Sequence, residues 1–348
     1  MINFSDVRLK RLVVHNVGCK NSDNSLQISI SEIKIDDQIV KELLMKYFLS
    51  SFKSEEYYNF YHDSDINLNE MFVYSTQIFE NPDDLYLVSL NIAKHLHNNS
   101  VHPKIKSGEF YIVHFEDCMV DDEIVECLGL FKSENKDTYL KVYHHDDNFE
   151  INYDNGINIK KLDKGCLIFK TEKDAGYKIS IIDTVNKDVE ALYWREDFLK
   201  IKPRDDNFYS TKSIIDLCKT FSEQVLSEGD LADKKDKINF IKKTEKYLCE
   251  AENFDMKDFE KNVIDQPEIK AEFKNFKAEY QEMYDLKPDN NFKISANAIK
   301  KSKKYFRSVI KLDKNFHVYV HSSPEFIEKG FDNEKNMKYY KLYFEDEN

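Results

Sequence analysis

The residues best suited to chemistry in this sequence form a basic run with aromatic neighbours between Lys293 and Lys314. The run contains seven Lys and one Arg against the single acid Asp313, which gives it a net charge of +7. The whole chain carries −13, so the remainder carries −20. A dense cationic run with tyrosine and phenylalanine inside it is typical of a surface that contacts phosphates and stacks on bases or sugars. We therefore expect it to meet an anionic ligand, with DNA as the leading candidate.

The second half of this run, with the residues that follow it, predicts a β-hairpin. A three-residue loop at 313–315 pairs Leu312 with Phe316 and Ile310 with Val318, which collects the apolar side chains on one face. The opposite, outer face of the hairpin is then expected to present cations and rings to solvent: Lys303, Tyr305, Arg307, Lys311, His317, Tyr319 and His321. The predicted nucleic-acid contacts are Lys300, Lys301, Lys303, Lys304, Tyr305, Arg307, Lys311, Lys314 and Tyr319. The alternative interpretation is a solvated lysine-rich hairpin whose tyrosines only shield the sheet.

Histidines and acids cluster elsewhere without a catalytic or metal-binding pattern. His95 and His97 are two residues apart at a predicted helix end and so point to different sides, and His144–Asp147 falls in a predicted loop. The acids between Asp117 and Glu123 form a strand-loop-strand corner that could hold a divalent cation, although a solvated acidic turn is the favoured interpretation. No nucleophile elbow or glycine-rich phosphate loop is present, and no two cysteines are separated by two residues. We expect no catalytic residues, no metal and no cofactor.

The periodicity along the chain predicts an α+β fold. Strands are expected up to residue 35 and a helix over 36–52, followed by a helix from Asn81, a three-strand meander over 108–144, and strands at 166–170 and 177–183. After Trp194 the pattern becomes helical, with helices from Ser210 and at about 233–251, 255–264 and 267–284. The basic hairpin, a short helix at 324–329 and a strand at 339–344 complete the prediction. The expected domains are 1–190 (α+β with an antiparallel meander), a linker at 191–208, and 209–348 (helical, ending in the basic β-hairpin).

Composition indicates a folded chain without a membrane or secretory segment. Hydrophobic residues make up 41% of the 348 residues and aromatics 14%, which is ample for a core. The N-terminus lacks an apolar stretch of signal-peptide length, and no window reaches the length of a membrane span. We expect a soluble cytoplasmic protein with reduced cysteines.

Two stretches of the second half carry a family resemblance: ALYWREDFLKIKPRDDNFYSTKSIIDLCKTFSEQVL over 191–226 and FKISANAIKKSKKYFRSVIKLDKNFHVYV over 292–320. Together with the meander GEFYIVHFEDCMVDDEIVECLGLFK over 108–132, they resemble the bacterial nucleoid-associated NdpA-like family. The resemblance implies a cytoplasmic, non-enzymatic protein found with the chromosome, and it brings no catalytic residues. DNA contact by the lysines at 300–304 rests on charge and not on this resemblance.

Three functional hypotheses follow. The first is a nucleoid-associated protein that binds DNA through its basic C-terminal hairpin. The second is an acidic adaptor that reaches the nucleoid through a DNA-processing protein, favoured by the net charge of −13. The third is a metal-dependent hydrolase or nuclease using the acidic corner. Oligomeric state is left open by the sequence.

Overall fold

The computed structural model describes residues 2–23, 25–53, 55–146, 148–184, 193–226, 234–283, 290–306, 308–312, 316–320 and 326–346. The chain divides into two compact units, Met1–Arg204 and Asp205–Asn348. Each unit mixes helices with antiparallel strands, so the predicted α+β class is confirmed. None of the described helices combines the length and hydrophobicity that crossing a bilayer requires.

The first unit is built on one antiparallel sheet. Its strands are β1 Ile2–Asn3, β2 Arg8–Val17, β3 Leu26–Gln27, β4 Tyr58–Phe60, β5 Gly108–Val120, β6 Glu123–Ser133, β7 Asp137–His145, β8 Asn148–Gly156, β9 Lys164–Phe169, β10 Lys178–Asp183 and β11 Ile201–Pro203. The main sheet runs in the order β11-β4-β10-β9-β6-β5-β2-β3, with β1 also paired to β5, while β7 and β8 pair with each other in a separate ribbon. Its helices are α1 Gln38–Leu49, α2 Glu70–Glu80 and α3 Leu85–Asn99, with a π-helix at Tyr193–Leu199.

Helices cover both faces of this sheet. Along β5, Phe110 and Ile112 pack into a core with α2, α3 and the π-helix. The intervening Tyr111 and Val113 pack into a second core with α1. This period of two is the geometry of a strand, and both faces are apolar because both are covered.

Two parts of the prediction for the first unit need correction or extension. The predicted three-strand meander is wrong in its third strand, because β6 pairs with β9 and not with β7. The reason is burial: β9 is buried along its whole length, whereas Leu140 and Val142 of β7 stay exposed.

Helix α2 is an element that the sequence analysis does not predict, since its β-branched and aromatic residues also suit a strand. It begins where the Asn69 side chain accepts a hydrogen bond from the Phe72 backbone N–H.

The second unit is mainly helical. Its elements are α4 Asn207–Gln224, α5 Lys234–Glu250, β12 Asn253–Asp255, α6 Met256–Val263, α7 Pro267–Met283, β13 Asn291–Lys293, α8 Ala296–Ser302, a 3-10 turn at Lys303–Phe306, β14 Ser308–Leu312, β15 Phe316–Val320, β16 Ile327–Asp332 and β17 Met337–Leu342. An aromatic cluster forms its core: the Phe221 ring lies 5.0 Å from that of Phe273, and Phe254 stacks on Phe292 at 4.9 Å. The helices predicted near 233–251, 255–264 and 267–284 are confirmed as α5, α6 and α7.

Two predictions for the second unit are wrong. Helix α4 is capped by Asp206, whose carboxylate accepts from the Tyr209 backbone N–H at 2.9 Å, and not by Ser210. The predicted short helix at 324–329 is also wrong, because Ile327–Lys329 belongs to β16 and pairs with β17. Residues 321–325 lie outside the described residues.

Candidate nucleic-acid interface

The predicted basic contacts lie on several elements and not on one hairpin. Lys300 and Lys301 belong to α8, and Lys303 to Tyr305 belong to the 3-10 turn that follows it. The expectation that Lys303 and Tyr305 lie on a hairpin strand is therefore wrong. The local reason is a capped helix: the Ser295 hydroxyl accepts a hydrogen bond from the Ala298 backbone N–H at 3.3 Å.

One side of this helical segment is anchored in the core of its unit. Ala298, Ser302 and Phe306 recur at intervals of four and are 0%, 3% and 4% exposed. The Ser295 backbone N–H donates to the Thr211 hydroxyl at 2.9 Å, which ties the start of α8 to α4. The backbone that carries the lysines is thus fixed by burial and by hydrogen bonds at its N-terminus.

The lysines occupy the opposite side of the segment. Four of them are exposed: Lys300, Lys301, Lys303 and Lys304. Within the described part of the chain, Lys300, Lys303 and Lys304 form no ion pair, so no neighbouring carboxylate neutralises them. Their position at the end of α8 also complements the negative end of the helix dipole, which stabilises the segment without any ligand. We name these four residues the lysine strip.

Tyr305 is half-buried beside the strip, and two ammonium groups lie close to its ring. Lys219 Nζ is 4.6 Å and Lys304 Nζ is 4.9 Å from the ring centroid. A ring held in this way positions cations by cation–π attraction. Lys219 was not predicted, because it lies on α4 and no local sequence signal connects it with Tyr305. Lys301 similarly lies 5.7 Å from the Phe208 ring centroid.

The hairpin of β14 and β15 has the predicted register. Leu312 pairs with Phe316 and Lys311 with His317, while Val309 pairs with Tyr319. Tyr319 is 61% exposed, as expected for the outer face.

The inner face of this hairpin is only partly as predicted. Leu312 and Val318 are half-buried against Ile238, but Phe316 is 63% exposed, so the inner face is covered along only part of its length. Arg307, Lys314 and His321 lie outside the described residues.

The acidic corner between β5 and β6 is held by cations and by backbone geometry. Asp117 pairs with Arg8, and Asp121 pairs with Lys178. Asp117, Asp121 and Asp122 have φ of 59°, 47° and 67°, the left-handed region that aspartate tolerates better than most residues. Among the described residues, no group of three or more His, Cys, Asp or Glu side chains could hold a metal ion.

The histidines of α3 and the loop after it each have a separate partner. His95 Nε2 lies 3.0 Å from the Phe198 carbonyl, and burial lowers the pKa of His95. His97 Nε2 lies 2.9 Å from the Ser25 hydroxyl, and His102 Nδ1 accepts from the Lys104 backbone N–H at 3.2 Å. These contacts are structural, and they do not bring the three rings to one point.

Buried charge in the first unit is likewise paired. Lys132 and Lys164 are neighbours across β6 and β9 and are both fully buried. Lys132 Nζ donates to Glu134 at 2.8 Å, and Lys164 Nζ donates to Asp183 at 2.7 Å. Burial lowers the pKa of Lys132, against the opposing charge of Glu134. These ion pairs account for the buried charge without a ligand.

Fold and surface together define an α+β protein with an exposed, anchored cationic segment in its second unit. The chain belongs to the family NA37, described as nucleoid-associated protein YejK, whose model matches residues 13–338. The predicted resemblance to a nucleoid-associated family is therefore confirmed, and the membership supports a nucleoid-associated function and location. No curated protein matches the chain.

Proposed function

We propose that this protein binds DNA directly, through contacts made by the lysine strip and the neighbouring β14–β15 hairpin, where Tyr319 is exposed. Arg307, Lys311 and Lys314 stay sequence-based candidates for the same contact. The observation that carries the proposal is the exposure of Lys300, Lys303 and Lys304 without an acidic partner among the described residues, on backbone that is anchored to the core. Lysine is a point charge that pairs with phosphate without reading the bases. The proposed binding is therefore independent of DNA sequence.

Salt dependence tests direct binding. Each phosphate that the protein neutralises releases condensed counterions, so five or six contacts give a slope of about −4.5 to −5.5 in log K against log salt. Fluorescence anisotropy of a labelled duplex, titrated at several salt concentrations, measures this slope. A flat response excludes direct binding by the lysine strip.

A matched pair of variants localises the contact. In Lys300→Glu/Lys304→Glu, both changes fall on the strip, four residues apart. The control Lys257→Glu/Lys261→Glu makes the same charge change at two exposed positions, four residues apart, on α6 of the same unit. We expect the first variant to lose well over tenfold in affinity and about 2 units of slope, and the control to stay within a few-fold. Equal losses in both would mean that only net charge matters.

We further propose that the protein acts without catalysis. Three observations support this: Lys132 and Lys164 are ion-paired, Asp117 and Asp121 of the β5–β6 corner are paired with cations, and the family is named for nucleoid association. Assays on DNA and RNA with and without a divalent cation test it. Cation-dependent cleavage that survives repurification would contradict it.

The acidity of the chain favours a second candidate, an adaptor that reaches the nucleoid through a DNA-processing protein. A net charge of −13 repels duplex DNA at long range. Capture from lysate with and without nuclease separates the two functions, because an association mediated by protein survives the loss of DNA. Loss of capture after nuclease treatment favours direct binding.

A further inference from the structure

Strands β7 and β8 of the first unit form a ribbon whose two faces differ. Their pairing places Leu140 opposite Tyr153 and Val142 opposite Ile151. Because side chains alternate along a strand, these four residues share one face with His144 and Phe149, which pair with each other. That face is mainly apolar, and in the described structure no other strand pairs with the ribbon.

The apolar face of the ribbon is open to solvent. Its five large side chains are 61 to 74% exposed: Leu140, Val142, Phe149, Ile151 and Tyr153. The other face is more polar: it carries the ion pair between Lys141 and Asp154 at 2.6 Å, with Tyr139 and Tyr143 each 46% exposed. An amphipathic ribbon with five large apolar residues in solvent indicates an interaction surface and not a scatter of single exposed residues.

We propose that the apolar face of this ribbon packs against the same face of a second copy of the chain. The ribbon, residues 137–156, contains five acids and one lysine, a net charge of −4, which disfavours DNA as the occupant. A second copy fits because it offers the same mainly apolar face, so that two ribbons form a four-stranded sandwich. The proposal does not depend on DNA binding.

The size of the face agrees with a dimer. Five side chains of this kind present roughly 700 Å² at the exposures observed, taking about 150–250 Å² for each. Two faces together then bury up to roughly 1,400 Å², inside the range of about 1,200–2,000 Å² for specific interfaces.

Symmetry keeps the charges of the two copies apart. A two-fold axis near the Val142–Ile151 pair, at the middle of the face, sets Leu140 and Tyr153 of one copy against His144 and Phe149 of the other. Glu150 and Asp154 lie on the opposite face of their ribbon, because they pair with Tyr143 and Tyr139. Like charges are therefore not buried against each other, which would otherwise oppose association.

Analytical ultracentrifugation of the full chain without DNA tests the proposal. We expect a mass of twice 41.3 kDa at micromolar concentration. Ile151→Glu places a carboxylate in the apolar interface and should raise the dissociation constant at least hundredfold. Its control is Asn152→Glu, the next residue, on the opposite face and paired with Lys141, which should leave the dissociation constant within about twofold.

Crosslinking locates the axis. Cys249 is the one exposed cysteine among the six, so a Cys249→Ser background removes the native accessible thiol. Because packed sheets lie about 10 Å apart, Val142→Cys in that background should form a dimer with a short bis-maleimide, and Asn152→Cys should not. A wild-type mass of one chain up to about 100 μM, or a dimer that Ile151→Glu leaves intact, overturns the proposal.

Discussion

At the residue scale, His15 on β2 is the clearest case of a side chain whose protonation is fixed by its neighbours. It is 2% exposed, and its Nδ1 accepts from the Ser29 backbone N–H at 3.2 Å. Its Nε2 lies 3.0 Å from the Ser89 hydroxyl, which itself donates to the Tyr86 carbonyl at 2.6 Å. Both ring nitrogens are therefore satisfied only in the neutral form, with the proton on Nε2. Burial lowers the pKa of His15 to about 4.

The lowered pKa of His15 makes the first unit acid-sensitive. The folded value of about 4 lies below the unfolded value of 6.5, so the unfolded chain binds the proton more tightly. The contribution of neutral His15 to the free energy of unfolding is therefore complete above pH 6.5. It is lost as the pH falls from 6.5 towards 4. At pH 5 the free energy of unfolding should be lower than at pH 7 by about 2 kcal/mol from this group. Urea unfolding followed by the fluorescence of Trp194, the only tryptophan, measures it.

The control for this prediction is His15→Gln, which keeps a donor and an acceptor but cannot titrate. We expect it to show a smaller loss of stability between pH 7 and pH 5 than the wild type, by about the same 2 kcal/mol. If the two proteins lose equal stability, another group causes the acid sensitivity. The lowered pKa of His95 adds a smaller effect of the same sign that both proteins share.

At the element scale, the segment between the two units is more than a connection. The sequence predicts a linker over 191–208, yet the π-helix Tyr193–Leu199 places Trp194 and Phe198 fully inside the first core. Strand β11 then pairs with β4 through Ile201 and Phe60. We propose that the first domain extends to Arg204.

Two fragments test this boundary. Residues 1–204 should unfold cooperatively in urea, because they retain the whole first core. Residues 1–190 lack Trp194, Phe198, Leu199 and Ile201, each at most 4% exposed, and should lose cooperative unfolding, since one Phe→Ala change in a core already costs about 3–5 kcal/mol. Far-ultraviolet circular dichroism measures both. Equal cooperativity in the two fragments would restore the boundary at 190.

The sequence predicts elements well where one periodicity dominates. The apolar residues Leu85, Val88, Ile92 and Leu96 recur at helical spacing, which predicts α3, and all four are buried. Prediction from the sequence fails where a helix and a strand are both compatible with the same residues. The sequence of 293–306 contains enough apolar and aromatic residues for a strand, and the decisive groups are Ser295 and its partner Thr211, 84 positions earlier. Pairing of β6 with β9 is likewise a long-range choice that local patterns do not contain.

At the scale of the whole molecule, charge is distributed unequally between the two units. Residues 1–204 contain 25 basic and 35 acidic residues, a net charge of −10, whereas residues 205–348 carry −3 and contain the basic run. A strongly acidic unit on the same chain raises the electrostatic cost of approaching DNA. Such repulsion is screened over about 10 Å at 0.1 M salt.

The whole-molecule prediction compares the full chain with the fragment 205–348. The fragment has its own aromatic core, and we expect it to fold. At about 50 mM salt it should bind a labelled duplex several-fold more tightly than the full chain, because the −10 of the first unit is absent. The ratio should approach one as salt rises towards about 300 mM, since screening removes the repulsion but leaves the phosphate contacts of both proteins equal.

Fluorescence anisotropy at each salt concentration measures the ratio of the two affinities, with Lys300→Glu/Lys304→Glu in the fragment as the weak-binding control. If the full chain binds more tightly than the fragment at every salt concentration, the first unit contributes DNA contacts of its own, and the lysine strip is not the main interface.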